Sequence, residues 1–302
     1  MAERIAAIDC GTNSIKILIG EFPHVLVRES RMVRLGQSVD TTGLLADEAL
    51  ARTFAAIDEY AALVRQHGVT RIRFCATSAT RDARNAQVFT DGVRERLGVT
   101  PEVLTGAEEA ALVFEGAVSQ QQHEVEAPVL VVDIGGGSTE LVLGAEHPES
   151  AVSMDIGSVR LHERHLHGDP PTPDQVAACL ADVDRHLDEC PVPLGEARSV
   201  IGTSGTIKTL AAGMLDLPFY DRDAIDGAEL GVADTVAYVE RLVAMTVAER
   251  RAAPTMHPGR ADVIGAGALI WSRVLTRSGV ATYRVSEADI LYGIAASLLG
   301  HE

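Results

Sequence analysis

Asp, Gly, Ser and Gly recur in register in two twelve-residue stretches of this 302-residue chain, DCGTNSIKILIG at Asp9–Gly20 and DIGGGSTELVLG at Asp133–Gly144. Each stretch reads as an apolar strand, a polar Gly/Ser turn and a second apolar strand. A hairpin turn of this kind exposes consecutive backbone N–H groups, and glycine lets a bulky anion come close to them. Gly11, Thr12, Asn13 and Ser14 form one such turn; Gly135, Gly136, Gly137 and Ser138 form the other. Ser14 and Ser138 add hydroxyl donors, and Asn13 adds an amide. A dinucleotide fingerprint or a P-loop would open onto a helix, whereas both turns here open onto strands and neither contains Gly-Lys-Ser/Thr. The chemistry that remains is a cradle for phosphate.

Each turn follows an aspartate at a strand end, Asp9 or Asp133. A carboxylate beside a phosphate cradle repels the ligand unless a cation lies between them. Mg²⁺, or Mn²⁺ in its place, fits, because Mg²⁺ takes one or two carboxylates together with water and phosphate oxygens. Asp133 is therefore a candidate metal ligand. Asp9 has two readings, a ligand acting through water or a turn-capping residue. Seven residues after Asp133, Glu140 shares a strand face with Ser138 and is a candidate second ligand. Its counterpart in the first stretch is Lys16, so a cation and an anion occupy matched positions.

A third Gly/Ser/Thr turn, IGTSGTIK at Ile201–Lys208, follows a strand and opens a helix. Gly202, Ser204 and Gly205 are candidate anion contacts there, at a helix N-terminus. Lys16 and Lys208 are the chain's two lysines, and both lie just beyond such turns. Substrate contact and an arginine-favouring composition explain them equally well.

The elements that carry these turns repeat as well. Strands are expected near Arg4–Asp9, Ser14–Gly20 and His24–Glu29, then a helix over Asp47–His67 closed by Gly68. A strand at Thr70–Ala76, a helix at Ala86–Leu97, a short strand at Glu102–Leu104 and a helix at Glu108–Val118 complete the first half. Gln120–Ala127 (QQQHEVEA) carries no periodicity and reads as a linker. Three strands then restart, at Val129–Ile134, Thr139–Ala145 and Ser150–Ile156. Thr172-Pro173-Asp174-Gln175 supplies an N-cap, a first-position proline and a capping-box residue for a helix reaching about Glu189. A strand at Ser199–Ile201 and a helix at Thr206–Leu215 follow. Further helices are expected at Asp234–Met245 and Ala261–Thr276, then a strand at Tyr283–Val285 and a closing helix at Ala288–Leu299.

Bulk properties narrow the class. Apolar residues make up 46% of the chain and aromatic residues 4%, which suits α/β layers better than a sandwich. A net charge of −17 argues against duplex nucleic acid as a partner, although a local cluster and a cation still admit an anionic ligand. No apolar run approaches a membrane span, and Met-Ala-Glu-Arg leads straight into a strand without a signal-peptide core. Cys10, Cys75, Cys179 and Cys190 are scattered, as expected of reduced thiols in a cytoplasmic protein. The histidines, several in RLHERHLHG at Arg160–Gly168, lack metal-site spacing and suit solvated helix faces.

Two duplicated lobes with such hairpin turns resemble the α/β, ribonuclease-H-like architecture of actin, Hsp70 and the sugar kinases, which holds its ligand in an interdomain cleft. Within that group the chain resembles the exopolyphosphatase/guanosine pentaphosphate phosphatase (Ppx/GppA) family in its short, two-domain form. The matching segments are DCGTNSIKILI, ATSATRDARN (Ala76–Asn85), TGAEEAALVFEGA (Thr105–Ala117), VVDIGGGSTELVLG (Val131–Gly144), IGTSGT (Ile201–Thr206), PGRADVI (Pro258–Ile264) and VSEADILYGI (Val285–Ile294), in family order over nearly the whole chain. Longer bacterial members continue into a C-terminal helical region that this sequence does not contain. The linker also differs in length. Lobes of 1–123 and 124–302 are expected, with the last helix, about 288–302, packing back onto the first.

The resemblance places the catalytic base on the second Glu of EEA, Glu109. A carboxylate that orients and deprotonates water suits phosphoryl transfer to water, while favourable charge at a helix N-terminus accounts for Glu108. Arg81 suits bidentate phosphate binding and Arg260 is a second candidate of the same type, whereas surface pairing competes for Arg84. The resemblance implies a Mg²⁺-dependent hydrolase, expected as a homodimer, that removes terminal phosphate from inorganic polyphosphate, with guanosine pentaphosphate as the second substrate. An ATP-dependent kinase and a nucleotide-sensing module of the same architecture remain as alternatives.

Overall fold

The computed structural model describes residues 3–119 and 125–299. The expected boundary at 123/124, residues 120–124 of the linker and the last three residues of the closing helix lie outside the described residues. In chain order the first strands and helices are β1 (Ile5–Cys10), β2 (Ser14–Glu21), β3 (His24–Met32), α1 (Val39–Thr42), α2 (Asp47–Gln66), β4 (Arg71–Ala76), α3 (Ser78–Asp82), α4 (Ala86–Leu97), β5 (Glu102–Val103) and α5 (Gly106–Ser119). Then come β6 (Val129–Ile134), β7 (Thr139–Gly144), β8 (Pro148–Met154), α6 (Ser158–His165), α7 (Pro173–Asp188), β9 (Ser199–Gly202), α8 (Gly205–Met214), α9 (Arg222–Ile225), β10 (Glu229–Gly231), α10 (Val232–Ala244), α11 (Val247–Ala252), α12 (Ile264–Ser278), β11 (Thr282–Val285) and α13 (Ile290–Leu299). The chain forms two compact units, Met1–Gly116 with Ile290–Glu302, and Ala117–Asp289.

The first unit holds a five-stranded sheet in the order β3-β2-β1-β4-β5. Its central strand β1 pairs antiparallel with β2 and parallel with β4, and all six of its residues are buried. A strand covered on both faces must be apolar throughout, which is why IAAI runs uninterrupted to Asp9. On one face lie Ile8, Ile15, Ile17, Phe74 and Phe89, with Tyr60 of α2 donating its hydroxyl to the Ile15 carbonyl at 2.9 Å. On the sheet, α13 packs against β1, β2 and β4. A Cβ at Gly293 would run into the backbone carbonyl of Leu112, so glycine sets the close crossing of α13 and α5.

The second unit holds a six-stranded sheet in the order β10-β11-β9-β6-β7-β8. Read from its other edge, β8-β7-β6-β9-β11 reproduces the first sheet strand for strand, with the same parallel and antiparallel senses around the central strand. Here β6 is the buried central strand and Asp133 its one charged residue. The addition is β10, three residues long and antiparallel to β11. It falls below the length at which period-2 alternation reads as a strand. Trp271 and Tyr283 meet edge to face at 4.9 Å in the core of this unit. Capping at Thr172 follows the expected box: its hydroxyl accepts from Gln175 N while Gln175 accepts from Thr172 N. The fold is the duplicated, two-lobe actin-like α/β architecture.

Candidate active site

In the first unit, Gly11 N donates to Ser14 O at 3.0 Å and closes the β1–β2 turn. The turn's carbonyls are then held from behind. Thr12 O accepts from Gly36 N at 2.8 Å, and Asn13 O accepts from Val33 N and Arg34 N, each at 3.0 Å. A trans peptide is planar, so a carbonyl held on one side directs the next N–H to the other. The amides of Thr12 and Asn13 donate to no backbone carbonyl among the described residues. A hydroxyl cluster adjoins the turn, with Thr12 Oγ1 and Ser78 Oγ at 2.8 Å. Asn13 Oδ1 and Thr80 Oγ1 are buried without a hydrogen-bond partner among the described residues. At Gly11 a Cβ would make only ordinary contacts, the nearest 3.6 Å away, and φ is not positive there. Neither packing nor backbone conformation within the protein therefore demands glycine at Gly11.

Asp9 lies opposite Lys16 in the β1–β2 register, and Lys16 Nζ stands 3.3 Å from Asp9 Oδ2. Arg81, in the last turn of α3, donates from Nη1 to the Leu104 carbonyl at 2.9 Å and to Glu109 Oε2 at 3.2 Å. The two neighbouring glutamates of α5 divide. Glu108 is fully exposed and accepts from both the amide and the hydroxyl of Thr105, each at 2.8 Å, while its own amide returns to Thr105 Oγ1. Hydrogen bonding to the Thr105 amide, then to its hydroxyl, lowers the Glu108 carboxyl below the usual range. Glu109 is 7% exposed and forms the ion pair with Arg81. Arg84 is bonded to the Thr42 carbonyl at 3.0 Å, which anchors α1 rather than any ligand.

The second unit repeats the turn with different charges. Gly135 N donates to Ser138 O at 2.9 Å. Asp133 lies opposite Glu140, the positions held by Asp9 and Lys16 in the first sheet. Both acids are buried, at 8% and 2% exposure, and Ser153 Oγ donates to Glu140 Oε1 at 2.7 Å. Carboxylates directly opposite on an antiparallel pair repel, with Cβ atoms about 5 Å apart. This donor set fits a divalent ion that takes two carboxylates and completes its shell with water and phosphate oxygens. Among the described residues no group of three or more His, Cys, Asp or Glu side chains could hold a metal ion.

The third turn is tied to β6 and to the loop that follows β11. Thr203 N donates to Val132 O at 3.0 Å, and Thr203 Oγ1 to the Ala288 carbonyl at 2.9 Å. Ser204 is the N-cap of α8 and accepts from Ile207 N at 3.2 Å. Gly202 packs under Ile207 and Trp271, and a Cβ at Gly205 would strike the guanidinium of Arg260, which lies over the first turn of α8. Burial lowers the pKa of Arg260, with the Tyr220 hydroxyl acting in the opposite sense. Lys208 is 4% exposed. Its ammonium donates to the Glu287 carbonyl at 3.1 Å and to Asp289 Oδ2 at 3.2 Å, and lies 3.6 Å from Glu287 Oε2 as an ion pair. The sequence left Lys208 open between substrate contact and composition; in the structure its ammonium lies in a buried cluster with Glu287 and Asp289.

Three pairs of residues near the turns had no sequence signal strong enough to single them out. Ser78 and Thr80 sit within the ATSATR segment, Ser158 and Arg160 beside Gly157, and Glu287 and Asp289 within VSEADI. Glycine at 157 was the available clue, because a Cβ there would collide with the Gly136 carbonyl. The histidines are not all solvated either: His165 and His186 are partly buried against Asp182 at 2.9 and 3.3 Å.

Two matched sheets, each ending its central strand in an Asp-led glycine turn, define a protein of the actin-like fold class. Comparison with known proteins narrows this. The model of the Ppx/GppA phosphatase family matches residues 15–300, and the chain belongs to that family. It is 46% identical to exopolyphosphatase 2 of Mycobacterium tuberculosis, covering 98% of this chain and 99% of that one. Among solved structures it is similar to an exopolyphosphatase-like protein, with a TM-score of 0.95 at 44% identity over 98% of this chain and 97% of the other. It is also similar to an exopolyphosphatase from Cytophaga hutchinsonii, with a TM-score of 0.90 at 30% identity over 99% and 98%. Among the described residues no helix is long and apolar enough to cross a membrane.

Proposed function

We propose that this chain is an exopolyphosphatase, which hydrolyses the terminal phosphoanhydride of inorganic polyphosphate and releases orthophosphate with the help of Mg²⁺. The observation that carries the reading is the buried Asp133–Glu140 pair at the foot of a turn whose carbonyls are all held away. Two adjacent acids beside outward amides make sense when a cation and a polyanion share the place. The names of the similar proteins point the same way.

In this reading Asp133 and Glu140 hold the divalent ion, which supplies charge neutralisation at the phosphoryl oxygens. Asp9, paired with Lys16, is at most a ligand through water. The outward amides of Asn13, Gly136 and Gly137 bind phosphate oxygens, with the hydroxyls of Ser14 and Ser138 beside them. Glu109 accepts the proton of the attacking water, and Arg81 fixes its carboxylate at Oε2. The bond from the terminal phosphorus to its bridging oxygen breaks, and the shortened chain leaves as an oxyanion. Lys16, Arg260 and the α8 N-terminus at Gly202, Ser204 and Gly205 add positive potential for the rest of the chain. The same reading takes the protein as a cytoplasmic homodimer, which sedimentation would check.

The test is phosphate release from short polyphosphate, long polyphosphate and guanosine pentaphosphate, each with and without Mg²⁺, for the native chain and Glu109→Gln. Release from polyphosphate that needs Mg²⁺ and falls roughly 10²–10⁴-fold in the variant supports the reading. Preference for guanosine pentaphosphate would make it a nucleotide phosphohydrolase. Dependence on an added acceptor would make it a kinase, and phosphate release unchanged by Glu109→Gln would make it a sensing module.

A further inference from the structure

The Gly135–Ser138 turn is shaped from outside itself. Ser158 N donates to Gly135 O at 2.9 Å, and Val159 N and Arg160 N donate to Gly136 O at 2.9 and 3.1 Å. These are the first three amides of α6, the ones every helix leaves without an internal acceptor. The approach is so close that the residue before the helix, Gly157, has no room for a Cβ against the Gly136 carbonyl. One carbonyl of the turn lies beyond the reach of those amides. Gly137 O accepts instead from the Arg160 side chain, Nε to O at 2.7 Å.

The first unit shows that this last bond meets a requirement of the turn. The position matched to Gly137 is Asn13, and its carbonyl is held by two backbone amides, Val33 N and Arg34 N. Arg34 reaches that position at a φ of 51°, a left-handed conformation costly for a residue with a side chain. The same carbonyl is thus tied back twice, once by strained main chain and once by a guanidinium. Because the peptide is planar and trans, holding Gly137 O directs the Ser138 amide to the opposite side of the turn. Releasing it would let the peptide flip and present a carbonyl dipole to an anion.

We propose that Arg160 is a positioning residue for the phosphate cradle: its guanidinium fixes the Gly137–Ser138 peptide so that the Ser138 amide faces the substrate. The proposal rests on the reading of Gly135–Ser138 as that cradle. It concerns the donor at Nε, one bond nearer the backbone than a lysine Nζ, so a cation at another reach does not replace it.

Four variants test it with polyphosphate as substrate. In Arg160→Met the loss of a charged donor raises KM roughly 10- to 100-fold, with kcat changed less. Arg160→Lys keeps the charge and shows a similar rise. In Arg160→Ala, added ethylguanidinium lowers KM again in a saturable way, which a merely loosened fold would not show. Gly136→Ala separates this proposal from the reading beneath it by adding a methyl group to the turn itself. If Gly136→Ala leaves KM unchanged, the cradle itself is wrong. A KM raised by Gly136→Ala but not by Arg160→Met overturns the role of Arg160 alone. A native KM in Arg160→Lys overturns positioning in favour of charge. If Arg160→Met does not fold, the lysine variant and the rescue decide, and absence of rescue in a folded Arg160→Ala overturns the proposal.

Discussion

Asp133 faces Glu140 across the β6–β7 hairpin, at the positions where the β1–β2 hairpin sets Asp9 against Lys16. One fold element, duplicated, carries an ion pair in one copy and two acids in the other. The first copy sets an ammonium 3.3 Å from its carboxylate; the second sets one carboxylate opposite another.

That difference makes a prediction about cation response. Glu140→Lys should recreate the internal pair of the first hairpin, fold, and lose the cation site. In the native chain millimolar Mg²⁺ should raise the melting temperature by mass action on the folded state. In Glu140→Lys the rise should vanish together with phosphate release. Thermal melts with and without Mg²⁺ check this, and an undiminished shift in the variant would remove Glu140 from the cation site.

Glu108 and Glu109 should separate cleanly under the same substitution. Glu108→Gln alters an exposed cap and should leave phosphate release close to native. Glu109→Gln should lower it by roughly 10²–10⁴-fold. Arg81→Met should fall between them, because Glu109 keeps its carboxylate but loses the donor at Oε2. Initial rates at saturating polyphosphate order the three.

Lys208 should behave as a stability residue. Its removal leaves Glu287 and Asp289, 7% and 2% exposed, without their shared cation. Breaking one partner out of a buried charge cluster costs roughly 3–5 kcal/mol. Lys208→Met should therefore shift the urea midpoint strongly downward. A native midpoint with raised KM would instead return Lys208 to the anion contacts.

Asp182 sets an acid response. Burial would raise its carboxyl, but hydrogen bonds from His165 and Arg185 and the charges of His186 and Arg164 outweigh it and hold it at about 2. A carboxyl held below its unfolded value contributes stability that is complete above the unfolded pKa and lost as pH falls toward the folded one. Asp182→Asn should thus melt below the native chain at neutral pH, and the gap should close between about pH 4 and pH 2. Melting curves across that range read it directly.

The twin turns were legible because their signal is local: Asp, Gly and Ser within a few residues, each flanked by apolar strands. The restart of three strands in the second half followed from the same repetition. Tertiary partners were not legible. Arg160 acts on Gly137 from 23 residues away, and Glu287 and Asp289 reach Lys208 from 79 and 81. A lysine after a Gly/Ser/Thr turn looks the same in sequence whether it faces substrate or two buried acids. Of the neighbouring glutamates, only the fold shows that Glu108 closes the cap on Thr105 while Glu109 turns to Arg81.

Hydrolysis of long polyphosphate in water enriched in heavy oxygen tests the central claim most directly. Attack of Glu109-activated water on the terminal phosphorus puts one heavy oxygen into each orthophosphate released. It leaves the shortened chain unlabelled, and the labelled product should form far more slowly in Glu109→Gln. Label in the shortened chain, or labelled orthophosphate formed at the native rate by the variant, would contradict the account.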